Sequence, residues 1–249
     1  MLRSAGSVWS VICTPVPAGG HRVDLARLTG DTDVAPVIGT IDPRTLVGDV
    51  AVCKPLRADG PVARVRTSDA WEALGTAVTR QVIKAATARE NYRAFCEAYG
   101  EQHDTVAGPA WLFPAPETVL ALSDDEFDAL RMKFFRNGLR SAAEAALKSA
   151  EAWADMTGEQ LLAAVQSVRR IGPWTAGATV ADVTNDYSLY PFADLAVRTW
   201  AGKLAPSVDW PKPEPEFGRL WQAMAGAQLS EWTLLTLAWG VRHATGVAL

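Results

Sequence analysis

The stretch from Val168 to Ala176 has the residue types of a tight turn between two helices. One continuous helix is disfavoured there, because Gly172 loosens the backbone and Pro173 lacks an N–H donor and clashes with a preceding helical turn. Proline is favoured at the first helical position, so Pro173 should begin a second helix. The first N–H groups of such a helix have no internal partner and lie at the positive end of its dipole. The turn therefore predicts an anion site that suits a phosphate group.

Asp194 is a lone carboxylate that follows about one element later and precedes the apolar residues 195–197. A fixed carboxylate beside an oxocarbenium-like sugar carbon stabilises its positive charge or activates a water molecule. Asp is also a favoured helix N-cap, and the two roles are compatible because the helix N-terminus orients the carboxylate. Asp182 and Asp186 are more typical of turn or surface positions.

Together, the turn and Asp194 resemble the HhH-GPD superfamily of DNA glycosylases, and within it the AlkA-type alkylpurine glycosylases. The resemblance covers about residues 68–242 and is specific at the hairpin and at Asp194, where Leu-Ala-Val-Arg repeats the pattern that follows the family's catalytic aspartate. It implies a mainly α fold (α+β overall), with a helix-hairpin-helix glycosylase domain and a small N-terminal β-rich domain. It also implies that the partner is duplex DNA containing a damaged base.

The hairpin departs from the family pattern of hydrophobic-Pro-Gly-hydrophobic-Gly, because Arg169 and Arg170 replace the proline and the first glycine. If that glycine normally has a positive φ, Arg170 must either bear strain or change the turn. The two arginines could instead add positive charge to the phosphate contact. The resemblance implies DNA-binding roles for Arg169, Arg170, Ile171, Gly172, Thr175 and Gln81. Gln81 occupies the family's Gly-Gln-Gln-hydrophobic position, and its alternative is an ordinary surface glutamine.

Trp174 stands where bifunctional members of the superfamily carry the lysine that forms a Schiff base. By resemblance the protein should be monofunctional, removing the base with water and lacking AP-lyase activity. Trp174 also matches an aromatic residue that lines the base pocket, where an indole would stack on a flipped, electron-poor purine. The alternative is a core tryptophan. Trp239 is a second candidate for the base pocket, although the tryptophans of the last helix are mostly typical of core. Ala178 replaces the AlkA-type tyrosine, which leaves the base preference open.

The chain has 249 residues, enough for one large or two small domains. Residues 1–66 are rich in Val, Thr, Gly, Pro and Asp, which favours a small β-rich domain with short strands over 7–13 and 45–52. Residues 67–249 are predicted to form the helical glycosylase domain, with the hairpin at about 161–182.

Helical spacing and capping patterns predict the elements of that domain. They are a helix carrying Trp71, Leu74, Val78 and Val82, one beginning at Pro116, one capped at Ser123, an Asn137-Gly138 turn into a helix over 139–150, a hairpin helix capped at Thr157, and a last helix over about 217–242.

The net charge of −4, from 24 basic and 28 acidic residues, argues weakly against a general nucleic-acid binder. It is compatible with a local basic face. Five cations fall on one predicted helical pair and two more lie in the hairpin, namely Arg131, Lys133, Arg136, Arg140, Lys148, Arg169 and Arg170. The alternative is a solvated surface without a ligand.

The three cysteines are far apart and lack metal-ligand spacing, and the four clustered cysteines of the endonuclease III branch are absent. We therefore expect no metal and no cofactor, although the resemblance implies that the hairpin could hold a monovalent cation. No apolar run approaches the roughly 20 residues that span a bilayer, and residues 1–6 lack a signal-peptide core. The expectation is a cytoplasmic, nucleoid-associated protein, with nothing requiring more than a monomer.

The resulting hypothesis is a monofunctional DNA glycosylase of base excision repair. It would flip a damaged base, such as 3-methyladenine, into a cleft between helical subdomains and hydrolyse the N-glycosidic bond. One alternative is a glycosylase for another class of lesion, which Ala178 and the altered hairpin motivate. Another is a non-catalytic DNA-lesion-binding protein on the same fold. A third is an unrelated helical protein with a chance hairpin.

Overall fold

The computed structural model describes residues 1–17 and 20–244, and within them the fold is mainly α with three small antiparallel sheets, as predicted. The strands are β1 (Leu2–Ser4), β2 (Ser7–Pro15), β3 (His21–Thr29), β4 (Ile38–Ile41), β5 (Val62–Val65), β6 (Gln102–Thr105) and β7 (Gly108–Trp111). The helices are α1 (Val50–Asp59), α2 (Ala70–Arg80), α3 (Ala85–Tyr99), α4 (Pro116–Ala121), α5 (Asp124–Ala129), α6 (Arg136–Ala154), α7 (Gly158–Gln166), α8 (Pro173–Thr184), α9 (Leu195–Leu204), α10 (Glu214–Ala225) and α11 (Leu229–Ala244).

The chain forms two compact units, Met1–Val37 with Arg66–Thr184, and Ile38–Val65 with the chain from Asn185 onward. This division differs from the predicted boundary at residue 66, since 1–37 belong with the helices of 66–184 while 38–65 belong with the later helices. The division into a β-rich domain over 1–66 and a helical domain over 67–249 stays a prediction.

In the first unit, the buried helix α2 packs against both α6 and α8. Its position depends on Gly75, where a Cβ atom would clash with the ring of the fully buried Phe113. The first sheet has the order β1-β2-β3, so the strand predicted over 7–13 is confirmed. The α2 prediction is confirmed apart from its end, because Val82 has a φ of +61° and follows the C-cap residue Gln81.

The predicted helix starts in this unit are confirmed. Pro116 begins α4, and both Ser123 and Thr157 form capping boxes with the third residue of the following helix. The predicted Asn137-Gly138 turn is wrong, because both residues lie in the first turn of α6. A Cβ atom at Gly138 would lie 3.3 Å from Val78 Cγ1, so the glycine serves the close approach of α6 to α2.

In the second unit, the strand predicted over 45–52 is wrong, because Val50 begins α1. The Asp49 side chain caps this helix by accepting a hydrogen bond of 2.7 Å from the Ala51 N–H. The buried face of α1 then joins the core of the unit, so capping and burial outweigh the strand preference of the valines. Strands β4 and β5 form a two-stranded antiparallel sheet.

The core of the second unit is aromatic, with Trp221 and Trp232 in edge-on contact at a centroid distance of 5.3 Å. The prediction of a single last helix over 217–242 is wrong, because the segment forms two helices, α10 and α11. They meet at a 3-10 turn that begins at Gly226, whose φ is +55°. That left-handed conformation favours glycine and ends α10.

Across the described residues, no helix is long and apolar enough to cross a membrane. The same residues contain no group of three or more His, Cys, Asp or Glu side chains arranged to hold a metal ion.

Candidate functional site

The hairpin between α7 and α8 is held by hydrogen bonds within its own backbone. The Val168 N–H donates to Val165 O at 3.1 Å, and the Ile171 N–H donates to Val168 O at 3.0 Å. The Ile171 side chain is buried beneath the turn, and α8 then begins at Pro173, as predicted. The N-terminal end of a helix is the positive end of its dipole, so this end of α8 suits an anion.

Arg170 itself adopts the left-handed conformation, with a φ of +69°. Of the two outcomes considered from the sequence, the arginine therefore bears the strained backbone that the family pattern assigns to glycine. Its side chain is exposed, as is that of Arg169.

Gly172, by contrast, has no left-handed φ. A Cβ atom placed on it would find no described atom within 4 Å. Neither the backbone conformation nor the packing of the described residues therefore requires glycine at this position.

Two predicted DNA-contacting side chains are buried, Ile171 at 6% exposure and Thr175 at 2%. The backbone atoms of the two residues are therefore the groups that could contact a ligand, and their DNA-binding roles stay a prediction. The Thr175 hydroxyl donates to Gln81 Oε1 at 3.1 Å. Gln81 thus links the end of α2 to the first turn of α8, a structural role that the sequence did not suggest.

A second link between α2 and α8 is the ion pair of Arg80 with Asp182, whose side chain is 9% exposed. The expectation that Asp182 lies in a turn or at the surface is wrong, since the residue is buried within α8. Asp186 does lie in a turn, where its Oδ1 accepts from both the N–H and the hydroxyl of Ser188.

The two tryptophans assigned to a base pocket are both half-buried. Trp174 lies in the first turn of α8 in the first unit. Trp239 lies on α11 in the second unit, where its ring stacks on His243 with a centroid distance of 4.3 Å. Trp239 also packs against the core of its unit, as the alternative interpretation expected. Ala178 is buried in α8. A role of either tryptophan in base binding stays a prediction.

Asp194 is the N-cap of α9, as its alternative role predicted, and its carboxylate is half-buried. Oδ1 accepts a hydrogen bond of 2.8 Å from the Val197 N–H, and Oδ2 accepts one of 2.7 Å from the Tyr190 hydroxyl. Each oxygen therefore accepts from a fixed donor, and the carboxylate plane is oriented by the helix on one side and by a phenol on the other.

Tyr190 was not among the predicted site residues. Its ring stacks on Tyr187 at 5.7 Å, and the Arg64 guanidinium lies 5.0 Å from the centre of the Tyr187 ring. The chain turns at Pro191, where the Asp194 N–H donates to the Pro191 carbonyl, and this turn brings the tyrosine back to the aspartate. The only signal in the sequence was a tyrosine four residues before the aspartate. That spacing brings two side chains together regularly only within a helix, and these residues do not lie in one.

Comparison with known proteins shows which class of protein shares the fold of this chain. No family profile matches the chain. Solved structures with the HhH-GPD fold of DNA glycosylases do match it, so the chain has that fold. One is the 3-methyladenine DNA glycosylase of Archaeoglobus fulgidus, with a TM-score of 0.71 and 14% identity over 96% of this chain and 88% of that chain.

Another similar structure is the 8-oxoguanine glycosylase/lyase of Clostridium acetobutylicum in complex with double-stranded DNA. Its TM-score is 0.64 at 13% identity, covering 80% of this chain and 68% of that one. In sequence, 109 residues are 29% identical to the YfjP protein of Bacillus subtilis (strain 168), provisionally named a DNA-3-methyladenine glycosylase. That match spans 42% of this chain and 36% of the relative.

Proposed function

We propose that this protein is a monofunctional DNA glycosylase that removes alkylated purines from duplex DNA. The observation that carries the proposal is the Asp194 carboxylate, which two donors orient at the start of a helix in a fold of this class. The similarity to 3-methyladenine glycosylases, in fold and in a 109-residue segment, supports the choice of alkylated bases.

The hairpin is the proposed DNA-binding element. Gly172 supports this role, because a glycine that neither φ nor internal packing requires is explained by the close approach of an external group. The N–H groups at the start of α8 would bind a phosphate, and the exposed Arg169 and Arg170 would add charge. The duplex DNA bound to the Clostridium acetobutylicum enzyme is consistent with a nucleic-acid partner.

In the proposed reaction, the damaged nucleotide is flipped out of the duplex, and the bond between the base and the sugar lengthens. Positive charge then develops at the sugar C1′. The oriented Asp194 carboxylate would stabilise this charge or accept a proton from the attacking water. An alkylated purine is cationic and leaves readily, so neither strong acid catalysis nor a cofactor is needed. A monovalent cation on the hairpin carbonyls stays a prediction.

Trp174 determines the monofunctional part of the proposal. It occupies the position of the lyase lysine, and an indole nitrogen has no basic lone pair with which to form a Schiff base. Water is then the nucleophile, and the strand stays intact after the base is removed. Trp174 would instead stack on the flipped base.

The experiment incubates the purified protein with methylated duplex DNA and measures free 3-methyladenine, free 7-methylguanine and strand breaks. The control is Asp194→Asn, since asparagine is an equally good N-cap and its amide can still pair with Val197 and Tyr190. We expect release of 3-methyladenine without strand breaks, and a decrease of at least about 100-fold in the control.

Other outcomes separate the alternatives. If no methylated base is released, the alkylpurine assignment is wrong, and a wider lesion panel tests the alternative specificity. Lesion-preferring binding that is equal in the wild type and in Asp194→Asn, with no base released from any substrate, would identify a non-catalytic lesion binder. Borohydride trapping of the protein on DNA would contradict the monofunctional assignment.

A further inference from the structure

Six of the seven basic residues that the sequence grouped on α6 and its neighbours divide into two sets in the structure, and the exposed Arg131 belongs to neither. One set has acidic partners at the α5–α6 corner, where Lys133, Arg136 and Arg140 form ion pairs with Asp124 and Asp128. The Arg140 guanidinium, which also donates to a backbone carbonyl, is the main cause that holds the pKa of Asp124 below its ordinary value. These cations already have acidic partners.

The second set consists of Lys148, Arg169 and Arg170. All three side chains are exposed, and in the described part of the chain no carboxylate is within salt-bridge distance of any of them. Lys148 is on α6 and the two arginines are in the hairpin, more than 20 residues later. They nevertheless line one groove of about 630 Å³ within the first unit.

The groove runs between one face of α6 and the end of α7 with the hairpin turn. The α6 wall consists of residues at helical spacing, and the opposite wall ends at the hairpin arginines. Trp153, 4% exposed, and the half-buried Met156 contribute apolar surface. Among the described residues of the lining, Glu144 is the only carboxylate, so the unpaired cations exceed the anions by three to one.

We infer that this groove binds the phosphodiester backbone of a nucleic-acid strand, beyond the phosphate held by the hairpin N–H groups. The inference rests on the proposed function, because it takes the hairpin to be the DNA-binding element. Three observations support it. The groove has an excess of unpaired positive charge, exposed residues line both of its walls, and one wall is continuous with the hairpin. Lys148 is thereby assigned as a phosphate-binding residue.

The test measures the affinity for an undamaged duplex as a function of salt concentration. Removing one phosphate-binding cation should reduce the slope of log K against log salt by about 0.9, which corresponds to an affinity about eightfold weaker at 0.1 M salt. We expect this change for Lys148→Gln and about twice the change in slope for Lys148→Gln combined with Arg169→Gln. The matched control is Arg93→Gln, an exposed cation on α3 that does not line the groove.

Glu144→Gln gives a test that misfolding cannot mimic, because it should increase affinity. Removing the one negative charge in the groove should tighten binding by about twofold at low salt, where a charge some 8 Å from a phosphate in water is weakly screened. Weaker binding in Glu144→Gln would contradict the inference.

The outcomes also separate this inference from the proposed function. If the wild-type protein does not bind the duplex at all, both fail. If the wild type binds and releases methylated bases, but Lys148→Gln has the wild-type slope, only the inference fails. Calorimetric titration with inorganic phosphate provides a third arm. Heat of binding that disappears in Lys148→Gln, with an unchanged DNA slope, would show a site for free phosphate and overturn the assignment to a strand.

Discussion

The strained backbone at Arg170 gives a prediction in which stability and DNA binding change in opposite directions. The residue has a φ of +69°, a conformation that costs a side chain with a Cβ atom roughly 1–2 kcal/mol and costs glycine nothing. Arg170→Gly removes that strain but adds about 0.4–1 kcal/mol of conformational freedom to the unfolded chain. The net expectation is a gain of about 0.5–1 kcal/mol in the free energy of unfolding.

The same substitution removes one exposed, unpaired cation from the hairpin. If Arg170 contacts a phosphate, the slope of DNA affinity against salt should fall by about 0.9. The protein would then be more stable and yet bind DNA more weakly. Misfolding cannot cause that combination.

Arg170→Gln and Arg170→Asn are the matched controls, because both remove the charge. Glutamine keeps the backbone strain, whereas asparagine tolerates the left-handed region. In urea unfolding, we expect glycine to be the most stable, asparagine intermediate, and glutamine similar to arginine, while all three bind DNA equally weakly. A glycine variant no more stable than the glutamine variant would refute the strain argument, and unchanged binding in all three would refute the charge argument.

Gly172→Ala should raise the free energy of unfolding by about 0.4–1 kcal/mol, since its Cβ would point into open space and alanine restricts the unfolded chain, but it should weaken binding to duplex DNA in a filter or anisotropy assay. Tyr190→Phe should slow base release in single turnovers by about tenfold to a hundredfold without changing DNA affinity, because it removes a hydrogen bond to the charged Asp194. An unchanged rate would mean that the phenol does not position the carboxylate. Burial, with Asp69 nearby, raises the pKa of Glu72 from 4.5 to about 7. Its neutral form is favoured in the folded state, so the contribution of Glu72 to stability should be fully present below about pH 4.5 and should fall by up to about 3 kcal/mol as the pH rises to 7 and above. Urea unfolding of Glu72→Gln should lack that dependence.

The features that could be predicted from the sequence depend on contacts between near neighbours. Ser123 and Thr157 cap their helices through residues three positions away, and Pro173 begins α8 because of its own ring. Asp194 as an N-cap belongs to the same class, since its partner is the Val197 N–H. Such geometry is fixed locally, so residue types and spacing are sufficient to predict it.

The features that were missed depend on partners distant in sequence. Asp182 is buried because Arg80, 102 residues away, pairs with it, and Gln81 is 94 residues from Thr175. Gly138 lies in the first turn of α6 rather than in a loop, and the atom nearest to its Cβ position belongs to Val78 of another helix. A single sequence contains no signal for these pairs, since composition and periodicity describe only one segment at a time.

The charge of the molecule shows why counting residues is insufficient for a nucleic-acid interface. The net charge of −4 argued weakly against such an interface, and a cluster of seven cations argued for it. In the structure, part of that cluster is already occupied, because the cations at the α5–α6 corner form ion pairs with Asp124 and Asp128. The unpaired cations that line the groove, Lys148, Arg169 and Arg170, can neutralise no more than about three phosphates, whatever the total charge. The slope of log K against log salt is therefore limited to what three such contacts and those of the hairpin backbone can produce. A much steeper measured slope would place the interface elsewhere on the protein.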